Sequence, residues 1–308
     1  MRILPLTVIG LLGTALAAVA QVSVEVVLDQ DQFLRDESLV VKVRVTNRSG
    51  QAIDLGKDSE WLSFAVESLD GKVVNKLSDP NVTGEFRLES ARVATRQVDL
   101  APSYNLGEPG RYSVAATVKI KAWNEEVSSK PRTFQIVRGT KLWEQEFGVP
   151  GVAGTPDARK FILQQANYQN SLKLYLRVAD ASDNVAYRVF PLGQLVSFSQ
   201  PEAQVDKASY LHVLFQTGAR SFLFQVISPD GDVVLRQTYD YTEKRPALRA
   251  NDGGRIFVAG GARRLAASDL PPSQTSDPSA PRGGAASPPA TNTPTDGKNK
   301  NDGKARKK

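Results

Sequence analysis

The chain contains no cysteine and a single histidine. Without cysteine there are no disulfides, no thiolate metal ligands and no cysteine nucleophile. The one histidine, His212, excludes metal sites built from several imidazoles and leaves a single candidate for a histidine-based triad. We therefore expect no metal centre, no cofactor and no enzyme driven by these side chains.

The net charge of +6 is concentrated at the C-terminus. Segment 298–308 has six basic residues and one acid, which together carry +5, and Arg2 carries the remaining charge. Residues 21–297 are neutral as a whole, so the folded part is not expected to capture nucleic acid specifically. The basic end is either a solubilising spacer or a weak, salt-sensitive contact to an anionic surface.

The N-terminus has the pattern of a secretory signal peptide. An almost wholly apolar run, 3–19, follows Arg2, and Ala18-Val19-Ala20 gives a small-x-small pattern before Gln21. The pattern predicts cleavage between Ala20 and Gln21 and a mature protein that is periplasmic, at the cell surface or secreted. An uncleaved membrane anchor is the alternative, although the run is near the lower length limit for spanning.

Residues 21–138 are predicted to form a first all-β domain. Alternation such as Val22-x-Val24-x-Val26 is typical of a half-buried strand. The pair Asp70-Gly71 predicts a hairpin between strands at 62–69 and 72–77. Further strands are predicted at 39–46, 84–88, 96–100, 112–123 and 132–137. This number of short strands in so few residues favours a sandwich over a barrel.

A Pro-Gly turn connects Leu106 to a strand that starts at Tyr112. The spacing resembles the tyrosine corner of immunoglobulin-like and fibronectin-type-III-like sandwiches, which implies that the Tyr112 hydroxyl bonds back to upstream backbone. A Pro-Gly turn before an ordinary β-strand is the alternative. The segment 33–50 also resembles the first hairpin of bacterial extracytoplasmic Ig-like modules, including sandwich-type proteinase inhibitors. The resemblance covers this domain alone, implies a fold and supplies no catalytic residues.

Residues 139–156 are predicted to be a junction between domains, because glycine and proline are frequent in them. The junction contains Trp143 and Phe147, which are too apolar for a free linker and are expected to pack at a contact between domains.

Residues 157–264 are predicted to form a second all-β domain with an approximate internal repeat. The segment 175–178 is echoed at 210–213, and the line 205–215 resembles the opening strands of a sialidase-type propeller blade. So few residues hold fewer blades than a closed propeller needs, so a β-meander or a second sandwich is predicted. Within it, residues 155–165 fit a capped helix, but alternation over 161–176 favours a hairpin.

From residue 265 to 308 the apolar pattern stops, and proline, glycine and serine become frequent. The segment 265–308 cannot bury a core and is predicted to be a disordered tail with a basic end.

Candidate chemical groups are few. His212 is expected to face solvent or a satisfied partner, and Asp206 and Ser209 are its neighbours in sequence. Three pairs of carboxylates are close enough in sequence to suggest glycoside hydrolysis: Glu125/Glu126, Glu144/Glu146 and Asp230/Asp232. The pair Asp230/Asp232 could also contribute to calcium binding. Each pair is more simply explained as part of a solvated turn or strand edge.

Three functions follow in order of preference. The first is a non-catalytic, exported binding or structural protein that meets a protein or glycan partner on its β-domain surfaces. The second is a sandwich-type inhibitor of a secreted proteinase, using a loop such as 78–82. The third is a carboxylate-based glycoside hydrolase.

Overall fold

The computed structural model describes residues 22–149 and 157–270. Within these ranges the chain is almost entirely β, as predicted, with short single-turn 3-10 helices as its only helical elements. The signal-peptide cleavage site at Ala20 and Gln21, residues 150–156 of the predicted junction, and the tail from 271 to 308 lie outside the described residues.

The first half of the described chain folds as a β-sandwich. Its strands are β1 (Val22–Leu28), β2 (Gln32–Leu34), β3 (Val40–Asn47), β4 (Ile53–Leu55), β5 (Leu62–Ser68), β6 (Phe86–Leu88), β7 (Arg92–Asp99), β8 (Gly110–Ile120), β9 (Glu125–Ser128) and β10 (Arg132–Val137), with 3-10 helices at Ser59–Trp61, Ala101–Ser103 and Lys121–Trp123. One sheet has the order β1-β3-β7, the other has the order β2-β10-β8-β5 with β9 on β8, and β4 pairs with β6. Inward side chains of both large sheets form one core, because alternate residues along each strand point to the same face.

Tyr112 lies in that core at the start of β8. Its side chain is 2% exposed and stacks on Phe134, while its hydroxyl donates to the Glu108 carbonyl oxygen at 2.6 Å. The backward hydrogen bond predicted for a tyrosine corner is therefore present, and Leu106 is buried in the same core.

The predicted hairpin at Asp70-Gly71 is wrong in its second strand. Gly71 does turn at φ 77°, but 72–77 forms no strand and makes a single bridge, Lys76 to Tyr104. The Asp70 carboxylate accepts the Arg111 backbone N–H at 2.8 Å and pairs with the Arg111 guanidinium. Because Asp70 is held against β8, the chain leaves the turn across the 106–110 loop and does not return along β5.

The second half contains two antiparallel meanders. Its strands are β11 (Thr140–Val149), β12 (Asp157–Tyr168), β13 (Ser171–Asp180), β14 (Ala186–Leu195), β15 (Glu202–Val205), β16 (Leu211–Gln216), β17 (Ser221–Ile227), β18 (Val233–Asp240), β19 (Ala247–Ala250), β20 (Ile256–Ala259) and β21 (Ala262–Arg264). The first sheet has the order β11-β12-β13-β14, the second has the order β15-β16-β17-β18-β21, and β19 pairs with β20. Strands β12 and β13 confirm the hairpin over the helix, with a two-residue turn at Gln169.

The two meanders share one core and so form a second sandwich. Phe161 and Leu176 from the first sheet pack in the same cluster as Val213 and Phe215 from the second. The predicted repeat maps onto β13 and β16, which are both inner strands. Inner strands are apolar on the face that enters the core, which explains why their sequences look alike without a propeller.

The predicted junction is largely a strand. Residues Thr140–Val149 are β11, and Phe147 stacks on Phe161 with ring centroids 4.0 Å apart, inside the second core. Trp143 packs on the same cluster. These aromatics therefore complete the second sandwich and do not lie at a contact between domains. The ordered chain also extends past the predicted end at 264, since Leu270 N–H donates to the Arg236 carbonyl oxygen at 3.0 Å.

A small apolar cluster joins the two sandwiches. Leu34 of β2 packs with Tyr175 of β13 and Val189 of β14. Beside it, the Arg177 guanidinium is buried and binds the carboxylates of Asp36 at 2.6 Å and Asp183 at 2.7 Å. The two halves are thus fixed to each other by packing and by a charge-assisted network.

Candidate ligand-binding pocket

The sheet β15-β16-β17-β18-β21 has an unusually apolar outer face. Leu211 and Val213 of β16 point into the core, so His212 and Leu214 point outward. Opposite His212 lies Val226, and beside Leu214 lies Phe224. An exposed sheet face normally carries polar side chains, so an apolar one requires a cover.

That cover is the β19–β20 hairpin. Its Leu248 and Ile256 are buried against the sheet, and the Leu248 N–H donates to a Glu202 carboxylate oxygen at 2.7 Å. Asn251 organises the turn: its carbonyl accepts the Gly254 N–H at 2.8 Å, and its side chain accepts the Arg255 N–H at 2.8 Å. The hairpin does not close fully on the sheet.

The gap between hairpin and sheet is a half-open pocket of about 450 Å³. Phe224, Val226 and Leu235 form its floor, and the hairpin residues 256–258 form its roof. Phe257 at the rim is 42% exposed. The volume lies within the range of about 300–1,000 Å³ that is typical of small-molecule sites.

The polar wall of the pocket is built on His212 and Asp206. His212 Nε2 lies 2.9 Å from Asp206 Oδ2, while Asp206 Oδ1 accepts the backbone N–H groups of Ala208 and Tyr210 at 2.9 Å each. A carboxylate only accepts, so Nε2 donates the hydrogen in this bond. Nδ1 is buried and has no partner in the part of the chain that the structure describes. An unmade hydrogen bond of this kind costs about 1–3 kcal/mol.

A second polar pair lies on β18. The Tyr239 hydroxyl donates to Gln237 Oε1 at 3.0 Å, and both side chains line the pocket. Burial raises the pKa of the Tyr239 phenol, which keeps the hydroxyl protonated and able to donate.

The structure gives His212 the satisfied partner that the sequence allowed, and that partner is Asp206. It does not assemble a triad. Ser209, at φ 64°, turns its hydroxyl to the Gly148 carbonyl oxygen at 2.8 Å and leaves His212 without a nucleophile from this neighbour.

The carboxylates considered for glycoside hydrolysis lie on exposed strands and turns. Glu144 pairs with Lys141 at 2.9 Å and Glu146 with Lys160 at 3.5 Å.

The turn that carries Asp230 and Asp232 is held by arginines. Asp230 pairs with Arg159 at 2.8 Å, and Asp232 pairs with Arg188. Glu126 faces Lys119 at 3.9 Å, and its neighbour Glu125 is exposed. None of these carboxylates lines the pocket under the hairpin.

Residues 22–149 and 157–270 contain neither a metal-binding cluster nor a membrane-spanning helix. No group of three or more histidine, cysteine, aspartate or glutamate side chains in these ranges is arranged to hold a metal ion. In the same ranges no helix has the length and apolarity to cross a bilayer.

Sequence reasoning missed most of the pocket. The alternation Leu235-x-Gln237-x-Tyr239 on β18 was a readable signal, since it places a polar pair beside an apolar residue on one face. The contribution of Arg255 and Phe257 had no such signal, because it depends on the hairpin folding back over the sheet.

Comparison with known proteins gives no family. No family model matches the chain, and no curated protein matches it. The chain has a weak structural likeness to the sporulation control protein Spo0M of Bacillus subtilis, with 10% identity and a TM-score of 0.28 over 55% of this chain and 83% of that one. A likeness to the YadV chaperone has 10% identity and a TM-score of 0.22 over 78% of this chain and 100% of that one. Neither likeness is close enough to carry an argument.

Proposed function

We propose that this chain is an exported, non-catalytic binding protein that holds a small ligand in the pocket under the β19–β20 hairpin. The observation that carries the proposal is an apolar sheet face, covered by a hairpin that leaves about 450 Å³ unfilled between them. A pocket with an apolar floor and a few fixed polar groups is the usual form of a ligand site.

The test of this binding site uses a neutral apolar dye, N-phenyl-1-naphthylamine, titrated into the full chain and followed by fluorescence. We expect saturable binding with one site per chain. Val258→Trp fills the pocket from the roof and should abolish binding, whereas Val93→Trp, on the exposed side of β7, should leave it unchanged. Absence of saturable binding to the natural chain, or equal binding by both variants, would contradict the proposal.

Export is the second part of the proposal. It rests on the apolar run 3–19 and on the small residues before Gln21. N-terminal analysis of protein from its own host should find Gln21 first, in a periplasmic, surface or secreted fraction. Recovery of intact Met1 on membrane-bound protein would overturn this part.

The basic end, 298–308, is proposed to give weak contact with anionic surfaces and lies outside the described residues. Deletion of 298–308 should remove low-salt binding to anionic vesicles and leave dye binding intact. An unchanged salt dependence after the deletion would overturn the contact.

Inhibition of a secreted proteinase is a second candidate, which one observation favours. The loop predicted for it, 78–82, directly follows Leu77, which is 64% exposed, and is fixed at both ends. The Leu77 N–H donates to the Ser103 carbonyl oxygen at 2.8 Å, and buried Val82 accepts the Trp61 indole N–H at 2.8 Å. A loop that is anchored at both ends and has an exposed apolar residue at its base suits a proteinase cleft. A panel of secreted proteinases, with Leu77→Asp as the control, tests it.

A further inference from the structure

Apart from His212 Nδ1, which is buried, the groups that line the pocket and have no hydrogen-bond partner among the described residues are donors. Gln237 Oε1 accepts the Tyr239 hydroxyl, and the Gln237 side-chain NH₂ has no hydrogen-bond partner among the described residues. Arg255 lines the pocket, and its guanidinium makes no ion pair or hydrogen bond with any of the described residues. A donor-rich pocket favours a ligand that accepts hydrogen bonds.

A second positive charge, that of Lys207, lies close to the hairpin turn. Lys207 lies against Gly254 in the hairpin turn, next to Arg255, and makes no ion pair within residues 22–149 and 157–270. Asp206 lines the pocket too, but its two oxygens are occupied by His212 and by two backbone N–H groups. Asp252 is exposed in the turn and does not line the pocket. The charged groups near the pocket that have no ion-pair partner among the described residues, Arg255 and Lys207, are therefore positive.

We propose that the pocket binds a small carboxylate with an aromatic or branched apolar body, whose carboxylate is held by Arg255 and the Gln237 amide. This rests on the proposed function, because it names the ligand class of the same pocket. The body packs on Phe224, Val226 and Ile256, which offer only apolar surface. A carboxylate matches a guanidinium in charge and in geometry, and the bond is strongest where water is partly excluded.

Two other ligand classes fit less well. A neutral sugar needs partners for several hydroxyls, and Asp206 and the Tyr239 hydroxyl are already hydrogen-bonded within the pocket. A cation needs a free carboxylate, and Asp206 has no unoccupied oxygen. Both classes are outcomes of the test.

The test compares three compounds with the same ring: 1-naphthylacetate, 1-naphthylacetamide and 1-(aminoethyl)naphthalene. Calorimetric titration of the full chain should give binding of the carboxylate at least about ten-fold tighter than binding of the amide, with the amine weakest. The preference should decline with added salt, because the ion pair lies at a half-open mouth.

Two variants test whether Arg255 causes the preference for the carboxylate. Arg255→Gln should reduce the affinity for the carboxylate to that for the amide and leave the amide unchanged. Arg249→Gln is the matched control, since Arg249 is an exposed arginine on β19, opposite Phe257 in the same hairpin, and does not line the pocket. Equal losses in both variants would overturn the role of Arg255.

The outcomes separate this inference from the proposed function. If the neutral dye binds but carboxylate and amide bind equally, or if the amine or a panel of monosaccharides binds better, the ligand class is wrong and the pocket remains a binding site. If neither the dye nor any naphthalene compound binds, both proposals are wrong.

Discussion

Two tyrosines of the first core donate their hydroxyls to backbone carbonyl oxygens: Tyr112 to that of Glu108, and Tyr104 to that of Phe64 at 2.7 Å. Removing one such bond costs about 0.5–1.5 kcal/mol, so Tyr112→Phe should lower the free energy of unfolding by that amount. Tyr112→Ala also deletes a buried ring and should cost about 3 kcal/mol or more. Denaturant unfolding measures both, and Tyr104→Phe is the matched comparison. Unchanged unfolding midpoints in both Tyr112 variants would contradict the tyrosine-corner interpretation.

Glu37 gives the fold a pH dependence of defined sign. It is buried beside β2 and accepts the Leu34 N–H at 2.7 Å and the Gln30 amide at 2.9 Å, yet burial raises its pKa above the ordinary value of 4.5. The folded state therefore holds this proton more tightly than the unfolded state does. The resulting stabilisation is complete below pH 4.5 and is lost as pH rises through the raised folded pKa.

The variant Glu37→Gln cannot ionise and should lose this dependence. The difference in unfolding free energy between variant and natural chain should shift in favour of the variant between pH 4.5 and neutrality. Urea unfolding at several pH values measures it, and Glu25→Gln, at an exposed site on β1, should show no such trend. A difference that does not vary with pH would contradict the assignment.

At the residue scale, the sequence was informative where the signal is local. Tyr112 was predictable because its hydrogen bond reaches back only four residues, and a polar partner for His212 was expected from its place in an alternating strand. Arg177 gave no signal, because its two carboxylates come from Asp36, far away in the chain, and from Asp183.

At the scale of elements, the glycine after β4 fixes how a loop approaches the sandwich. Gly56 has φ 83°, and a Cβ there would lie 2.2 Å from the Gly84 carbonyl oxygen. Gly50 has nearly the same φ, 84°, but open space around it. The left-handed backbone alone costs a non-glycine residue about 1–2 kcal/mol, so Gly50→Ala should lose that much.

Gly56→Ala should lose distinctly more, about 3 kcal/mol or above, because the backbone of the 84–85 loop must also move. Thermal or denaturant unfolding of the two variants side by side separates the cost of the left-handed backbone from the cost of the steric contact with Gly84. Equal losses would mean that the loop yields easily at Gly84.

Strands were predictable wherever one face meets a core, since alternation then records burial. β10 was located at its observed bounds, and β1, β3 and β8 nearly so. β11 was missed because flanking glycines and prolines suggested a junction, although Phe147 belongs to the second core. The strand at 72–77 was predicted but is absent. The turn at Gly71 was predicted correctly, but the hydrogen bond of the Asp70 carboxylate to Arg111, which directs the chain away from β5, has no signal in the sequence.

At the scale of the whole molecule, Arg177 couples the two sandwiches. Arg177→Leu leaves Asp36 and Asp183 facing each other without their shared cation. Because both carboxylates are partly solvated, the loss should be below the 3–5 kcal/mol of a fully buried pair, at about 2 kcal/mol. The triple variant that also carries Asp36→Asn and Asp183→Asn should recover part of it. No loss in the single variant would mean that the apolar cluster alone joins the halves.

Neither the contact between the sandwiches nor the pocket was predictable from the sequence. Both combine residues from elements that meet only after the sheets have formed: Leu34 with Tyr175 in one case, and His212 with Ile256 in the other. Periodicity records which face of a strand is buried and not which partner buries it.

The short strand β2 has a consequence for the order of events on an emerging chain. Gln32–Leu34 pairs in parallel with 135–137. The β8 edge of the sheet that contains β2 therefore stays open until about a hundred further residues have been supplied. Leu34 then remains uncovered until Tyr175 arrives. The N-terminal sandwich is thus sealed by its own last strand and finished only by its neighbour, so a chain stopped near residue 130, before β10, should be held by chaperones.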